Sequence, residues 1–296
     1  MVSLRELDAQ LREPHAQQFR TVEQWRAAFR DMMATTLVPD GTRTAWTTLG
    51  PRPALLVEPL STSENGLILY FHGGAFIAGS PETALSLTAN LVVRTGIAAL
   101  SVDYRLAPEH EFPAAIEDGL GAYHTLLDRG ENPASIVIAG DSAGGGLAVT
   151  TCLAARDAGL PMPGALVAFS PALDQSRTGE SMFTKVGLDP IFQPEDFARS
   201  GSWYAPGQDP NQPLLSPAVL ADLRGLPPML LQVATNELLL DDATRLATRA
   251  RDAGVDVILD ITAGAPHVFQ SYAGTLAEAD AALARASLFI AQHVRE

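Results

Sequence analysis

The chain has 296 residues, 47% of them hydrophobic, enough to bury a large core as one big α/β domain or one domain with an added lobe. Against 20 Lys and Arg stand 34 Asp and Glu, and the net charge of -14 repels phosphate backbones and anionic lipid, which argues against nucleic-acid and membrane-surface partners. The one cysteine, Cys152, excludes an intrachain disulfide. The opening MVSLRELDAQLRE carries charges every few residues and does not read as a signal peptide, and no apolar stretch approaches a membrane span. A soluble, cytoplasmic protein is expected.

The first 35 residues read as helical. Leu4, Leu7 and Leu11 share one face. Thr21 with Gln24 makes a capping box ahead of Val22, Trp25, Phe29 and Met32 at helical spacing. Beyond Pro39-Asp40-Gly41 the pattern changes to short apolar runs. LILYF (67–71), IAALSV (97–102), SIVIAG (135–140), ALVAFS (165–170), PMLLQVA (228–234) and VDVILDI (255–261) predict strands. Most are continuously apolar, as parallel strands covered on both faces should be. Helical segments, for example 143–158 and 242–253, lie between several of them. This alternation implies an α/β fold with a mostly parallel sheet. The stretch 175–212 is different. It is rich in Gly, Pro and polar residues, yet holds Met182, Phe183, Ile191, Phe192, Phe197, Trp203 and Tyr204. It reads as an insertion that folds over something, together with the N-terminal helices.

The strongest local signal is IVIAGDSAGGGLAV, in which a strand ends at Gly140 and Ser142 precedes a helix-like run. A sharp strand-to-helix turn with glycine at 140 and 144 leaves the Ser142 hydroxyl exposed above the sheet edge. A phosphate loop fits poorly, because neither G-x-G-x-x-G nor a following Gly-Lys-Ser/Thr is present. A serine nucleophile also needs donors for a developing oxyanion. YFHGGAF (70–76) follows another strand, where Gly73 and Gly74 can turn their amides inward, and the Ala143 amide adjoins the nucleophile. Of six histidines, His15, His124 and His293 fall in expected helices and read as surface residues, His110 falls in a turn, and His72 lies in the glycine loop as a brace. His267 follows the last strand. Loops after parallel strands share one rim, so it can meet Ser142 across 125 positions.

HGGAF, DYRLAPEHEFPAA (103–115), GDSAGGGLA (140–148) and PHVF (266–269) occur in the order seen in bacterial hormone-sensitive-lipase-like esterases, a branch of the α/β-hydrolases, and the chain resembles that family along its whole length. The resemblance implies a Ser–acid–His hydrolase of carboxylic esters with no metal or cofactor. It also implies an α/β-hydrolase core at 46–174 and 213–296 under a helical cap made from residues 1–45 and an insertion at 175–212. Homodimers built on the edge of the last strand are admitted by it. Ala75 stands where HGGG has its third glycine, which narrows the space over the oxyanion site. Within DYRLAPEHEFPAA, Asp103, Arg105, Glu109 and Glu111 read as an ion-paired scaffold under the glycine loop.

The triad acid is a choice among Glu237, Asp241 and Asp242 in VATNELLLDD. Asp241 and Asp242 sit where a helix should begin, and there a carboxylate caps backbone N–H groups. Glu237 lies in the loop at the strand's carboxyl end, and no helix start claims it. It also holds the register in which the resembling family carries an Asp. The expectation is therefore a serine carboxylesterase acting on short- to medium-chain esters through Ser142, Glu237 and His267. A lactone, amide or carbamate hydrolase would use the same parts, and a binding protein on this fold would be expected to lack one of them.

Overall fold

The computed structural model describes residues 1–12, 20–61 and 65–294, so His15 lies outside the described residues. The chain opens with α1 (Leu4–Arg12), which buries Leu7 and Leu11, and α2 (Val22–Met33), which buries Val22 and Trp25. The capping box forms with a one-residue offset: Thr21 accepts the Gln24 amide at 3.3 Å, while Gln24 Oε1 reaches back to the Arg20 amide at 2.9 Å.

A hairpin of β1 (Thr42–Leu49) and β2 (Arg52–Pro59) follows. Neither strand was anticipated, for a physical reason. Most of β1 is solvent-exposed at the sheet's edge, with Trp46 half exposed, so it has no apolar run to read. Next come β3 (Leu67–Phe71), α3 (Leu85–Thr95), β4 (Ala98–Val102), α4 (Ala114–Asp128), β5 (Ile136–Asp141), α5 (Ala143–Asp157) and β6 (Ala165–Phe169). The stretch 175–212 contributes α6 (Ser181–Thr184) and α7 (Pro194–Tyr204). The chain closes with α8 (Pro217–Leu220), β7 (Met229–Ala234), α9 (Leu240–Asp252), β8 (Val257–Thr262) and α10 (Ala277–His293).

The eight strands form one sheet in the order β1-β2-β4-β3-β5-β6-β7-β8, antiparallel at β1–β2 and β2–β4 and parallel thereafter. Successive side chains point to opposite faces of a strand. Leu69, Phe71 and Ile138 accordingly pack with Leu147 of α5 and Leu246 of α9, while Ile68, Tyr70 and Val137 pack with Leu91 of α3 and Leu283 and Ile290 of α10. That double covering is why the central strands are continuously apolar. Parallel pairing points the carboxyl ends of β3, β5, β6, β7 and β8 to one rim, where open parallel sheets gather ligands. The 175–212 stretch meets the N-terminal helices. Trp203 of α7 packs edge-on against Trp25 of α2 at 6.3 Å, and Arg12 of α1 donates to the Leu188 carbonyl at 3.1 Å. Among the described residues no helix is long and apolar enough to cross a membrane.

Candidate active site

The turn from β5 into α5 is built by what its residues lack. A Cβ on Gly140 would overlap the Gly144 carbonyl, and one on Gly144 would overlap the carbonyls of Phe71 and His72 at the end of β3. Only glycine lets the strand and helix approach so closely. Ser142 between them takes φ 52°, a conformation that costs an L-residue energy and is kept by the surrounding packing. Its amide donates to the Phe169 carbonyl at 2.8 Å, and its hydroxyl stands half-buried above the rim.

His267, in the loop after β8, meets that hydroxyl with Nε2 at 2.9 Å from Ser142 Oγ, and its Nδ1 lies 2.8 Å from Glu237 Oε2. A carboxylate can only accept, so Nδ1 carries the ring proton and donates to Glu237, leaving Nε2 to accept from the serine. Glu237 is fully buried and firmly held: Oε1 accepts from the Ser170 hydroxyl at 2.7 Å and from the Ala234 amide at 2.7 Å. Ser170 Oγ in turn accepts the Val268 amide at 3.1 Å, joining the acid to the histidine loop. Burial opposes charge on the His267 ring. The hydrogen bond and charge of Glu237 outweigh it, with support from Asp189 and Asp141, and the imidazolium pKa rises above its ordinary 6.5.

The glycine loop after β3 lies across the same turn. His72 is buried, stacks on Tyr104 with centroids 4.2 Å apart, and donates from Nδ1 to the Gly73 carbonyl at 2.7 Å. Burial lowers its pKa to about 4, so it is a neutral brace. Asp141 lies under Gly73, held by the Tyr70 hydroxyl at 2.8 Å. Burial raises the Asp141 pKa to about 6, against the pull of Tyr70, His267 and the Gly73 amide. Gly74 has φ 119° and Ala75 φ 56°, so the loop turns tightly beside Ala143, the buried first residue of α5.

Three expectations change in detail. Asp241 and Asp242 do lie in the first turn of α9, but their carboxylates do not cap it. Asp241 Oδ2 accepts the Ser181 amide at 2.9 Å, and Asp242 Oδ2 accepts the amides of Leu173 and Asp174 at 2.6 and 2.9 Å. The ion pairs of DYRLAPEHEFPAA form with outside partners: Arg105 with Asp118 and Glu117 of α4, and Glu109 with Arg26 of α2. His124 is an exposed partner of Asp128, as expected, whereas His293 is partly buried and bonded to the Phe289 carbonyl at 2.8 Å.

Sequence reasoning overlooked Ser170, Asp189 and Phe192. Ser170 carried one readable signal, its place at the carboxyl end of a buried strand just before Pro171. Phe192, from the 175–212 stretch, packs edge-on against His267 at 5.1 Å, a contact that no local pattern announces.

A family model described as the α/β-hydrolase fold matches residues 68–271. An acetyl-hydrolase of Streptomyces hygroscopicus is 40% identical over 243 residues, 82% of this chain and 81% of that protein. An esterase of Acinetobacter venetianus is 38% identical over 223 residues, covering 75% and 73%. The crystal structure of an esterase from the bacterial hormone-sensitive lipase family superposes with a TM-score of 0.95 at 38% identity, over 99% of this chain and 98% of that one. A hormone-sensitive lipase from a metagenome library gives 0.95 at 37% identity over 99% of each chain. The family match and these relatives agree with the mostly parallel sheet, and the protein belongs to the hormone-sensitive-lipase-like branch of the α/β-hydrolases as a carboxylic ester hydrolase.

Proposed function

We propose that Ser142, His267 and Glu237 form the catalytic triad and that hydrolysis runs through an acyl-enzyme on Ser142. The single observation that carries this reading is the continuous chain of hydrogen bonds from Ser142 Oγ through His267 to Glu237, at 2.9 and 2.8 Å. Ser142 Oγ attacks the ester carbonyl carbon while its proton passes to His267 Nε2. Glu237 holds the ring in the required tautomer and stabilises the imidazolium. The tetrahedral intermediate collapses, the C–O bond to the alcohol breaks, and Nε2 returns the proton to the leaving oxygen. Water then repeats the sequence on the acyl-enzyme and frees the acid.

The proposed oxyanion donors are the amides of Gly73, Gly74 and Ala143, aimed at the oxygen that becomes charged. Gly73 is the weakest of the three, because its amide also serves the Asp141 carboxylate. We read residues 1–45 and 175–212 as the cap. The Trp25–Trp203 packing and the Arg12–Leu188 hydrogen bond between these segments support that reading. A cap closed by aromatic side chains favours short to medium acyl chains. The half-exposed Ile258 and Ile261 on edge strand β8 support a homodimer, which light scattering on the eluted protein tests. A cytoplasmic location belongs to the same reading and is checked by cell fractionation.

The experiment is a chain-length series of p-nitrophenyl esters run beside simple lactones and amides, with organophosphate labelling followed by peptide mass spectrometry. Peak turnover on short to medium esters with label on Ser142 is expected. Label on another serine overturns the triad. Activity rising steadily to long-chain triglyceride emulsions overturns the substrate range, and faster turnover of lactones moves the assignment to a lactone hydrolase.

A further inference from the structure

Asp189 belongs to the insertion, far from the rim in sequence, yet it is 1% exposed and sits against the acid loop. Its Oδ1 accepts the amides of Ile191 and Phe192 at 2.8 and 3.0 Å, which shapes the turn that lays Phe192 over His267. Its Oδ2 accepts the amide of Leu238, the residue after Glu237, at 3.0 Å. The carbonyl of the same Leu238 accepts from the Ser181 hydroxyl at 2.6 Å. Both backbone polar groups of the residue next to Glu237 are thus taken by the insertion. A buried carboxylate is costly unless its bonds require it. Here they do. Two oxygens must accept from opposite sides, and an amide in that place would turn an N–H either toward the N–H of Leu238 or toward those of Ile191 and Phe192.

We propose that Asp189 is a positioning residue for ester hydrolysis: one buried carboxylate couples the insertion to the acid loop and adds negative charge beside the His267 ring. This rests on the Ser142–His267–Glu237 reading above. Three carboxylates act on the ring from three elements: Glu237 from the loop after β7, Asp141 from the end of β5, and Asp189 from the insertion. Burial raises the Asp189 pKa to about 6, against the pull of His267 and of the amides of Leu238, Ile191 and Phe192, and Arg12 of α1 feels its charge. Loss of a negative charge near an imidazolium lowers its pKa. The neutral ring is the working base, so the acid limb of activity must then move to lower pH.

The test compares wild type, Asp189→Asn and Ser181→Ala in pH profiles of kcat and kcat/KM on p-nitrophenyl acetate, with a thermal melt for each. Ser181→Ala frees the other side of Leu238 without changing charge. For Asp189→Asn the expected result is a fall in kcat of about 10-fold or more, little change in KM, and an acid limb moved down by about half a unit. Ser181→Ala should leave the limb in place. A folded Asp189→Asn with unchanged kcat and limb overturns the proposal, as does an equal loss in both variants with neither limb moved. If Asp189→Asn does not fold, Asp189→Glu carries the test: it keeps the charge but shifts the reach, so kcat falls while the limb stays, and an unchanged kcat overturns the proposal. Glu237→Gln runs alongside. Near-native turnover there defeats the triad reading itself, whereas an inactive Glu237→Gln beside a normal Asp189→Asn defeats only the role of Asp189.

Discussion

The turn at the end of β5 and the loop at the end of β7 lie on the same rim and serve the same histidine, but they are held in different ways. At 140–144 the backbone does everything: glycines at both ends, a serine at positive φ, and contacts that leave no room for a Cβ. At 237–242 side chains do the holding, and they arrive from distant segments. Ser170 grips Glu237, while Asp189 and Ser181 grip Leu238. A backbone-built turn fails all at once when a single atom is added. A loop held by side chains loses function in steps, one partner at a time.

The comparison can be broken most sharply at the serine. Ser142→Ala should cut turnover on the order of 10⁶-fold with the melting temperature nearly unchanged, measured by steady-state kinetics and a thermal melt. Glu237→Gln comes next, at about 10³–10⁴-fold, since the histidine loses its orienting charge. In the same assay Asp241→Asn and Asp242→Asn should stay near wild type, because both carboxylates serve backbone amides away from the ring; inactivation by Asp241→Asn with an active Glu237→Gln would reverse the acid assignment. Ser170→Ala removes one of two donors on Glu237 Oε1 and frees the Val268 amide, and about a 10-fold loss in kcat is expected.

Two pH effects are finer still. His267 titrates above 6.5, and only its neutral ring accepts the serine proton, so kcat/KM should fall as pH drops through a value above 6.5. A profile flat to pH 5 contradicts this. Asp242 contributes to the pH dependence of stability instead. Burial raises its pKa from 3.8 to about 8, so between those values the folded state holds a proton that the unfolded chain has released. Stability therefore declines as pH rises through that window. Asp242→Asn, whose amide oxygen can still accept from Leu173 and Asp174, should flatten the decline. Thermal melts of both proteins at pH 5, 7 and 8.5 check it, and parallel curves speak against it.

Much of this was legible in the residue order. The six apolar runs match β3 to β8 within two residues at each end; for β3 to β7 the reason is that strands buried on both faces must be apolar throughout, whereas edge strand β8 keeps its apolar run although Ile258 and Ile261 are half-exposed. The edge hairpin was not legible, since β1 faces solvent and shows no such run. Gly140, Ser142 and Gly144 could be read because a steric demand within five residues leaves a local mark. His267 could be read because strand order puts its loop on the rim. Glu237 was singled out by its place at the strand's carboxyl end, by the register of the resembling family and by the argument that no helix start claimed it. That argument reached the residue now bonded to His267, although the carboxylates it set aside bind neighbouring segments and do not cap their own helix.

By itself the sequence determined the elements whose cause is local: the central strands, the turn at Ser142, the glycine loop and the first turn of α9. Periodicity and excluded Cβ atoms act over a few residues and are written there. Tertiary structure alone decided the rest. Ser170, Asp189 and Phe192 gain their places from contacts spanning between 49 and 98 positions for the two hydrogen-bonding residues, and from a ring contact with His267 for the third. A serine, an aspartate and a phenylalanine in a loop look alike in any sequence. What distinguishes these three is which buried donor, acceptor or ring the folded chain brings against them.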